Sequence, residues 1–150
     1  MNPLSALASL LTTTTPQNYT ISEVPDRDAA LRAANVWVLA DPENRSWSEI
    51  LPTGSMKSKF DENSIALLQK TKGDDPSLKK GNLVRLVNDE RFGKNEDGTS
   101  KNVIHEIVEL NDTHMITNGV SNKHYDRWMP RTCIAYKADI VKWKPASPVK

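Results

Sequence analysis

Apolar residues recur at helical spacing in one early part of the chain and alternate with polar residues through much of the rest. Residues 26–40 are rich in Ala, Leu and Arg, and Asp26 stands where a helix N-cap is expected. We therefore predict one helix from Asp26 through about Ala40, ended by Asp41-Pro42. Its apolar face would consist of Ala30, Ala33, Ala34, Trp37 and Val38.

After residue 46 the pattern is typical of short strands. Segments rich in Val, Ile, Leu and Thr alternate with turns rich in Gly, Asn and Asp. The predicted strands are Trp47–Leu51, Ile65–Lys70, Leu83–Asn88, Val103–Leu110, His114–Asn118 and Cys133–Trp143. The predicted fold class is mainly β with an N-terminal helix. We predict that the chain consists of a leader and helix (1–46), a β domain (47–144) and a flexible tail (145–150).

Composition and charge narrow the classes of partner. The chain has 150 residues, 26% of them charged, and a net charge of +1, which is typical of a globular domain and does not favour binding to a phosphate backbone. A single cysteine, Cys133, excludes an intramolecular disulfide and favours a reducing compartment. The N-terminus lacks a basic segment and an apolar stretch of roughly 18 residues. We expect a soluble, cytoplasmic protein with no membrane span and no nucleic-acid partner.

One serine is presented in a way that suits a nucleophile. Thr53-Gly54-Ser55-Met56-Lys57 follows an apolar segment and precedes a predicted strand. Gly-Ser pairs usually mark simple turns, so this segment alone favours a turn. A serine nucleophile also needs a base within hydrogen-bond reach, and the base benefits from a carboxylate that orients it.

Three histidines are candidates for that base. His105 lies inside a predicted strand, where alternation puts Val103 and Ile107 on its face. Its pattern fits either a half-buried structural histidine or a catalytic base. His114 and His124 are predicted to lie at the surface. Neither the Cys and His spacing nor any acidic loop fits a metal site, so no metal or cofactor is expected.

A polar loop contributes the third candidate. Residues 117–128 are mostly polar, and Asp126 lies near the end of this stretch, beside Arg127. Loops held by a rigid sheet often carry functional residues. An ion pair between Asp126 and Arg127 at the surface is the alternative interpretation.

Taken together, five segments resemble type I signal peptidases and the related LexA-type repressors. They correspond in order to the nucleophile box, a Gly-Asp strand start, the base strand, the acidic loop and the closing strand. The segments are Leu51–Leu68, Leu78–Val84, Asn102–Val108, Thr117–Asp126 and Cys133–Trp143. The resemblance covers roughly residues 47–144 and implies a β-ribbon catalytic domain of coiled antiparallel sheets.

The resemblance also implies roles for individual residues. Bacterial members use a lysine base, whereas eukaryotic and archaeal signal peptidases use histidine, as this chain would with His105. Ser55 is then the nucleophile, and Asp126 orients His105. The Ser55 amide and the Thr53 hydroxyl would hold the oxyanion. The implied function is a soluble serine peptidase that cleaves an extended peptide.

The chain also departs from the family pattern. Ser58 replaces a proline, Val120 replaces an aspartate of the acidic loop, and Glu106 stands where arginine is common. These departures leave open a second hypothesis, a catalytically inactive module of a virus or mobile element that binds a protein partner. A third hypothesis is a self-cleaving regulator, although residues 1–46 do not predict a helix-turn-helix.

Overall fold

The computed structural model describes residues 17–50, 60, 63–87, 103–118 and 128–144. Within these residues the fold is mainly β, with one α-helix near the N-terminus. The elements are β1 (Ile21–Val24), α1 (Arg27–Ala40), β2 (Arg45–Glu49), β3 (Ser64–Lys70), β4 (Leu83–Leu86), β5 (Val103–Leu110), β6 (His114–Asn118), β7 (Met129–Pro130) and β8 (Ile134–Trp143). A short 3-10 turn, Arg131–Cys133, leads into β8.

All eight strands belong to one sheet, in which seven follow the order β2-β3-β8-β4-β5-β6-β7 and β1 pairs with β8 outside this path. The long strand β8 is central, since β3 pairs along one of its edges while β4 pairs near its start and β1 near its end. The β1–β8 pair is parallel, and the other pairs are antiparallel. Across the described residues the sheet is open, with β2 and β7 at its two ends.

The helix forms where its cap and apolar face predict. The Asp26 carboxylate accepts a hydrogen bond from the Ala29 amide at 2.8 Å, which satisfies a donor that the helix itself leaves unpaired. Ala30 and Ala34 are fully buried against Ile65 and Val141 of the sheet. The Trp37 indole donates to a β3 carbonyl at 3.2 Å. No helix in the described part of the chain is long and apolar enough to cross a membrane.

Strand register divides the core between the two faces of the sheet. Leu83 lies opposite both Glu106 and Ala138, so these three side chains share one face. Val84 lies opposite His105 and faces the other way. The first apolar cluster comprises Tyr19, Phe60, Ala66, Leu68, Leu83, Ala138 and Ile140. The second apolar cluster comprises Leu78, Val84, Leu86, Ile107, Met115, Met129 and Ile134.

The structure adds two strands that the sequence pattern missed. The four-residue strand β1 lies in a segment interpreted as part of a leader, and it forms by pairing with β8, more than a hundred residues away in the chain. The two-residue strand β7 is too short to show alternation. Cys133 lies in the 3-10 turn and is half-buried. Residues 1–16, 91–100 and the predicted tail 145–150 lie outside the described residues.

Candidate functional site

His105 is held in the interior of the molecule. It lies in β5, directly opposite Val84 of β4, and only 4% of its surface is exposed. Ile107, two residues along the strand, is fully buried in the second apolar cluster on the same face. The prediction that His105 and Ile107 share one face of the strand is therefore confirmed. His105 is almost fully buried there, not half-buried.

Glu106, the next residue, is buried on the opposite face. Its exposure is also 4%, although carboxylates are rarely buried without a partner. Its neighbour there is the Tyr19 phenol, which is 8% exposed. Burial, followed by the nearby charge of Glu106, holds the pKa of Tyr19 well above its usual value. Tyr19 therefore stays protonated in neutral solution.

The segment predicted to form the acidic loop follows β6 in the chain. Asn118, the last residue of β6, pairs with Glu106 in the register of β5 and β6. Its side-chain oxygen is buried and has no hydrogen-bond partner among the described residues. Asp126 itself lies outside the described residues, as does His124. The described chain resumes at Trp128, whose ring is 47% exposed.

The predicted nucleophile segment, Thr53–Lys57, also lies outside the described residues, and Ser55 and Thr53 lie outside them with it. On its N-terminal side, the Ile50 amide donates to the Ser64 carbonyl at 3.2 Å. On its C-terminal side, Phe60 is buried in the first apolar cluster, where Ile104 also packs. Phe60 thus covers the face that carries Ile104 and Glu106, whereas His105 projects from the other face.

The remaining described histidine lies where it was predicted. His114 is exposed at the start of β6, and its Nδ1 lies 2.8 Å from the Thr113 hydroxyl. It therefore makes a local surface contact. Among the described residues, no group of three or more Cys, His, Asp or Glu side chains could hold a metal ion.

Sequence reasoning missed a polar network around Asp75. The Asp75 carboxylate accepts hydrogen bonds from the Thr71 hydroxyl at 2.6 Å and from the Ser77 amide at 2.8 Å. Lys137 of β8 contacts Ser77 and lies 3.7 Å from the carboxylate. The Thr71 bond, the Ser77 bonds and the Lys137 charge together hold the pKa of Asp75 well below its usual value. The Asp75-Pro76-Ser77 sequence, which is typical of a turn, was the available signal.

Arg131 fastens three separate segments next to this network. Its guanidinium donates to the carbonyls of Gly73 and Asn111, each at 2.8 Å, and of Asp75 at 3.1 Å. Its backbone amide donates to the Thr113 carbonyl at 2.9 Å. The approach at Gly73 is so close that a Cβ atom there would lie 2.2 Å from the Arg131 carbonyl oxygen. Only glycine fits at this position without a backbone shift.

The described geometry therefore offers one buried imidazole, with a buried carboxylate and phenol on the other face of the same strand. Comparison with known proteins gives no match: no family model, no curated protein and no solved structure is similar to this chain.

Proposed function

We propose that this chain is a serine peptidase with Ser55 as nucleophile, His105 as general base and Asp126 as the carboxylate that orients the base. The proposal follows the resemblance to signal peptidases and LexA-type proteins, including their coiled β-ribbon fold. The observation that carries it is the burial of His105 in the middle of the antiparallel β4–β5–β6 meander. A strand interior is a rigid support for a catalytic side chain.

Strand pairing around His105 supports the proposal further. β4 pairs with β5 through Val84 and His105, and β6 pairs with β5 at Glu106 and Asn118. Asn118, the last residue of β6, pairs with Glu106, which is next to His105 in β5, and the segment predicted to carry Asp126 follows Asn118 in the chain. The closing strand β8 pairs with both β3 and β4, which ties the strand after the nucleophile segment to the strand beside the base.

Cleavage of the peptide would proceed in two steps, acylation of Ser55 and hydrolysis of the acyl-enzyme. An extended peptide docks as an added strand, and the Ser55 oxygen attacks its scissile carbonyl while His105 accepts the hydroxyl proton. The Ser55 amide and the Thr53 hydroxyl stabilise the oxyanion. The C–N bond breaks as His105 gives that proton to the leaving amine, which produces an acyl-enzyme. Water then attacks the acyl carbonyl while His105 accepts one of its protons. The ester C–O bond breaks as His105 gives that proton to the Ser55 oxygen, which releases the carboxylic acid and restores the enzyme.

A fluorophosphonate probe tests the proposal, because it reacts only with an activated serine. We expect the wild-type protein to be labelled, and Ser55→Ala to remove the label. His105→Gln, which is similar in size to the native residue, should lower the labelling rate by about 100-fold or more. His114→Ala is the matched control, since His114 is exposed, and its rate should equal that of the wild type.

Circular dichroism on the same samples shows whether each variant is folded. A folded wild-type protein that takes no label would contradict the peptidase and favour the inactive interaction module. In that case Ser55→Ala should leave partner binding unchanged. The intact mass of the wild-type protein after incubation at alkaline pH separates a peptidase acting on other chains from a self-cleaving regulator.

A further inference from the structure

The two strands at the ends of the sheet differ in how open they are to further pairing. At one end, β7 has two residues and contains Pro130, which lacks a backbone N–H. At the other end, β2 has five residues and pairs with β3 without a bulge. A proline and a very short strand protect an edge, whereas a regular strand leaves it open. Within the part of the chain that the structure describes, no strand pairs with the outer edge of β2.

Hydrogen bonds at the two ends of β2 show which of its backbone groups point outward. The Lys70 amide donates to the Asn44 carbonyl at 2.7 Å, and the Ile50 amide donates to the Ser64 carbonyl at 3.2 Å. In an antiparallel pair, alternate residues bond to the neighbouring strand, and the residues between them turn their N–H and C=O groups to the other side. The register of β2 and β3 is regular between these two bonds. The outward residues of β2 are therefore Arg45, Trp47 and Glu49.

Only one of these outward groups has a partner in the described structure. The Arg45 amide donates to the Asp41 carbonyl at 2.9 Å, in the turn that follows α1. The Arg45 carbonyl and the N–H and C=O groups of Trp47 and Glu49 form no hydrogen bond with another described residue. The outer edge of β2 thus offers a row of backbone donors and acceptors to a further strand.

This row of backbone groups is complementary to itself. Consider two β2 strands that run antiparallel and are related by a two-fold axis at Trp47. The Trp47 amide of each copy then donates to the Trp47 carbonyl of the other copy. Two residues further along, the Glu49 amide of one copy reaches the free Arg45 carbonyl of the other. The Arg45 amide, which this ladder would leave to the Glu49 carbonyl, is the one that Asp41 already binds.

The side chains of the outward residues are complementary as well. In the same register, Arg45 of each copy lies opposite Glu49 of the other, and opposite charges in this position attract. Both side chains lie on the face that α1 covers, since Arg45 Cζ lies 3.7 Å from the centre of the Trp37 ring and Glu49 contacts Arg27 at 2.5 Å. The Glu49 side chain is 58% exposed, so it is accessible to a second guanidinium. At the axis, Trp47 would pair with its own copy.

We propose that two copies of this chain associate through antiparallel pairing of their β2 strands, centred on Trp47, so that the sheet continues from one copy into the other. A second copy fits this edge better than an unrelated strand, because the same five residues supply both the outward backbone groups and the opposite charges. Side chains that lie opposite each other share a face, so the two α1 helices lie on the same face of the joined sheet. The inference uses neither Ser55 nor His105 and goes beyond the proposed peptidase.

Sedimentation equilibrium over a range of protein concentrations tests the dimer. We expect the wild-type mass to rise towards twice the mass of one chain as the concentration increases. Arg45→Glu places acidic groups opposite each other at both ends of the paired strands, and Glu49→Arg places basic groups there. Each change should raise the dissociation constant of the dimer roughly tenfold. Arg32→Glu, on the exposed side of α1, is the matched control and should leave the dissociation constant unchanged.

A mixture of the two charge variants tests the register itself. Equal amounts of the Arg45→Glu and Glu49→Arg proteins should form a heterodimer, because each substituted position then lies opposite a residue of opposite charge. The dissociation constant of this heterodimer should return to about the wild-type value. Circular dichroism shows whether each variant is folded. Should a charge reversal prevent folding, Glu49→Gln removes the charge alone and should still raise the dissociation constant, by about threefold.

Leu39→Glu separates β2 pairing from association through the helix. Val36 and Leu39 are apolar residues of α1 that are 70% and 77% exposed, so they offer another surface to a second copy. We expect Leu39→Glu to leave the dissociation constant unchanged. Loss of the dimer in this variant, with folded charge variants that still associate as tightly as wild type, would assign the interface to the helix and overturn the proposal.

A wild-type protein that stays a monomer at every concentration would also overturn the proposal. Hydrogen exchange then shows whether another occupant takes the edge: an extended peptide that slows exchange of the Trp47 and Glu49 amides would assign β2 to a peptide partner. Because fluorophosphonate labelling does not measure association, failure of the dimer and failure of the peptidase are seen in separate experiments.

Discussion

The neighbouring side chains of Tyr19 and Glu106 differ in burial from the network around Asp75. Tyr19 is 8% exposed and belongs to the first apolar cluster, and Glu106 is 4% exposed. The side chains of Asp75 and Lys137 are 28% and 29% exposed. Water can replace a lost partner in the second case but not in the first, so the same chemical change costs more at the buried pair.

The Asp75 carboxylate also has several partners. It accepts hydrogen bonds from Thr71 and Ser77 and lies near Lys137, so no single contact holds it. Substitutions in the two regions should therefore differ in size and in their dependence on pH.

The largest effect is expected for Tyr19→Ala. Loss of the buried ring opens the first apolar cluster, so the free energy of unfolding should fall by about 3 kcal/mol. Urea denaturation followed by tryptophan fluorescence measures this change. Leu39→Ala, at a helical position that is 77% exposed, should change it by less than about 0.5 kcal/mol. Equal effects of the two variants would show that burial of Tyr19 adds nothing to the cost of its loss.

An intermediate effect is expected for Arg131→Met, which keeps the aliphatic stem and removes the guanidinium. Three carbonyl oxygens lose their donor, but partial exposure lets water replace some of these bonds, so the loss should be about 2 kcal/mol. Arg32→Met, on the exposed side of α1, is the matched control and should be nearly neutral. An unfolding free energy equal to that of the control would show that the Arg131 contacts contribute nothing.

The smallest effect, and the one that depends on pH, is expected for Asp75→Asn. The lowered pKa of Asp75 means that its ionised form stabilises the fold at neutral pH. This contribution is complete above the unfolded pKa of about 3.9 and is lost as the pH falls towards the lower folded value. The variant should lose about 1 kcal/mol at pH 7 and less at pH 3.

Denaturation at both pH values, with Asp74→Asn as control, checks this prediction. Asp74 is exposed next to Asp75 in the chain, so its substitution should have little effect at either pH. A difference between wild type and Asp75→Asn that stays constant from pH 7 to pH 3 would contradict the assigned cause.

Local pattern predicted most of the regular structure. The helix begins and ends within one residue of its predicted bounds because the Asp26 cap and the apolar face act over neighbouring residues. β5 and β6 have their predicted bounds, and β3 begins one residue early. β2 is displaced by two residues, from 47–51 to Arg45–Glu49, since pairing with β3 sets its limits. β1 escaped prediction because a distant strand supplies its partner.

In the candidate site, too, some features could be predicted from local pattern and others could not. The sequence singled out His105, Ser55 and Asp126 from residue type, spacing and resemblance, and the structure describes the surroundings of His105 alone. Nothing in the local pattern predicted that Tyr19 is buried near Glu106, since the two are far apart in the chain and neither belongs to a motif. Arg131 and Gly73 were missed for the same reason.

By itself, the sequence determined that the fold is mainly β, where the helix lies and which face of β5 carries His105, because periodicity and capping depend on residues close together in the chain. It also suggested the peptidase hypothesis. The tertiary structure decided which strands pair with β8, how deeply His105 and Glu106 are buried, and which distant side chain lies near that carboxylate. Those features depend on contacts between segments that are far apart in the chain, so no local pattern predicts them. The burial of each contact then determines how much the contact contributes to stability.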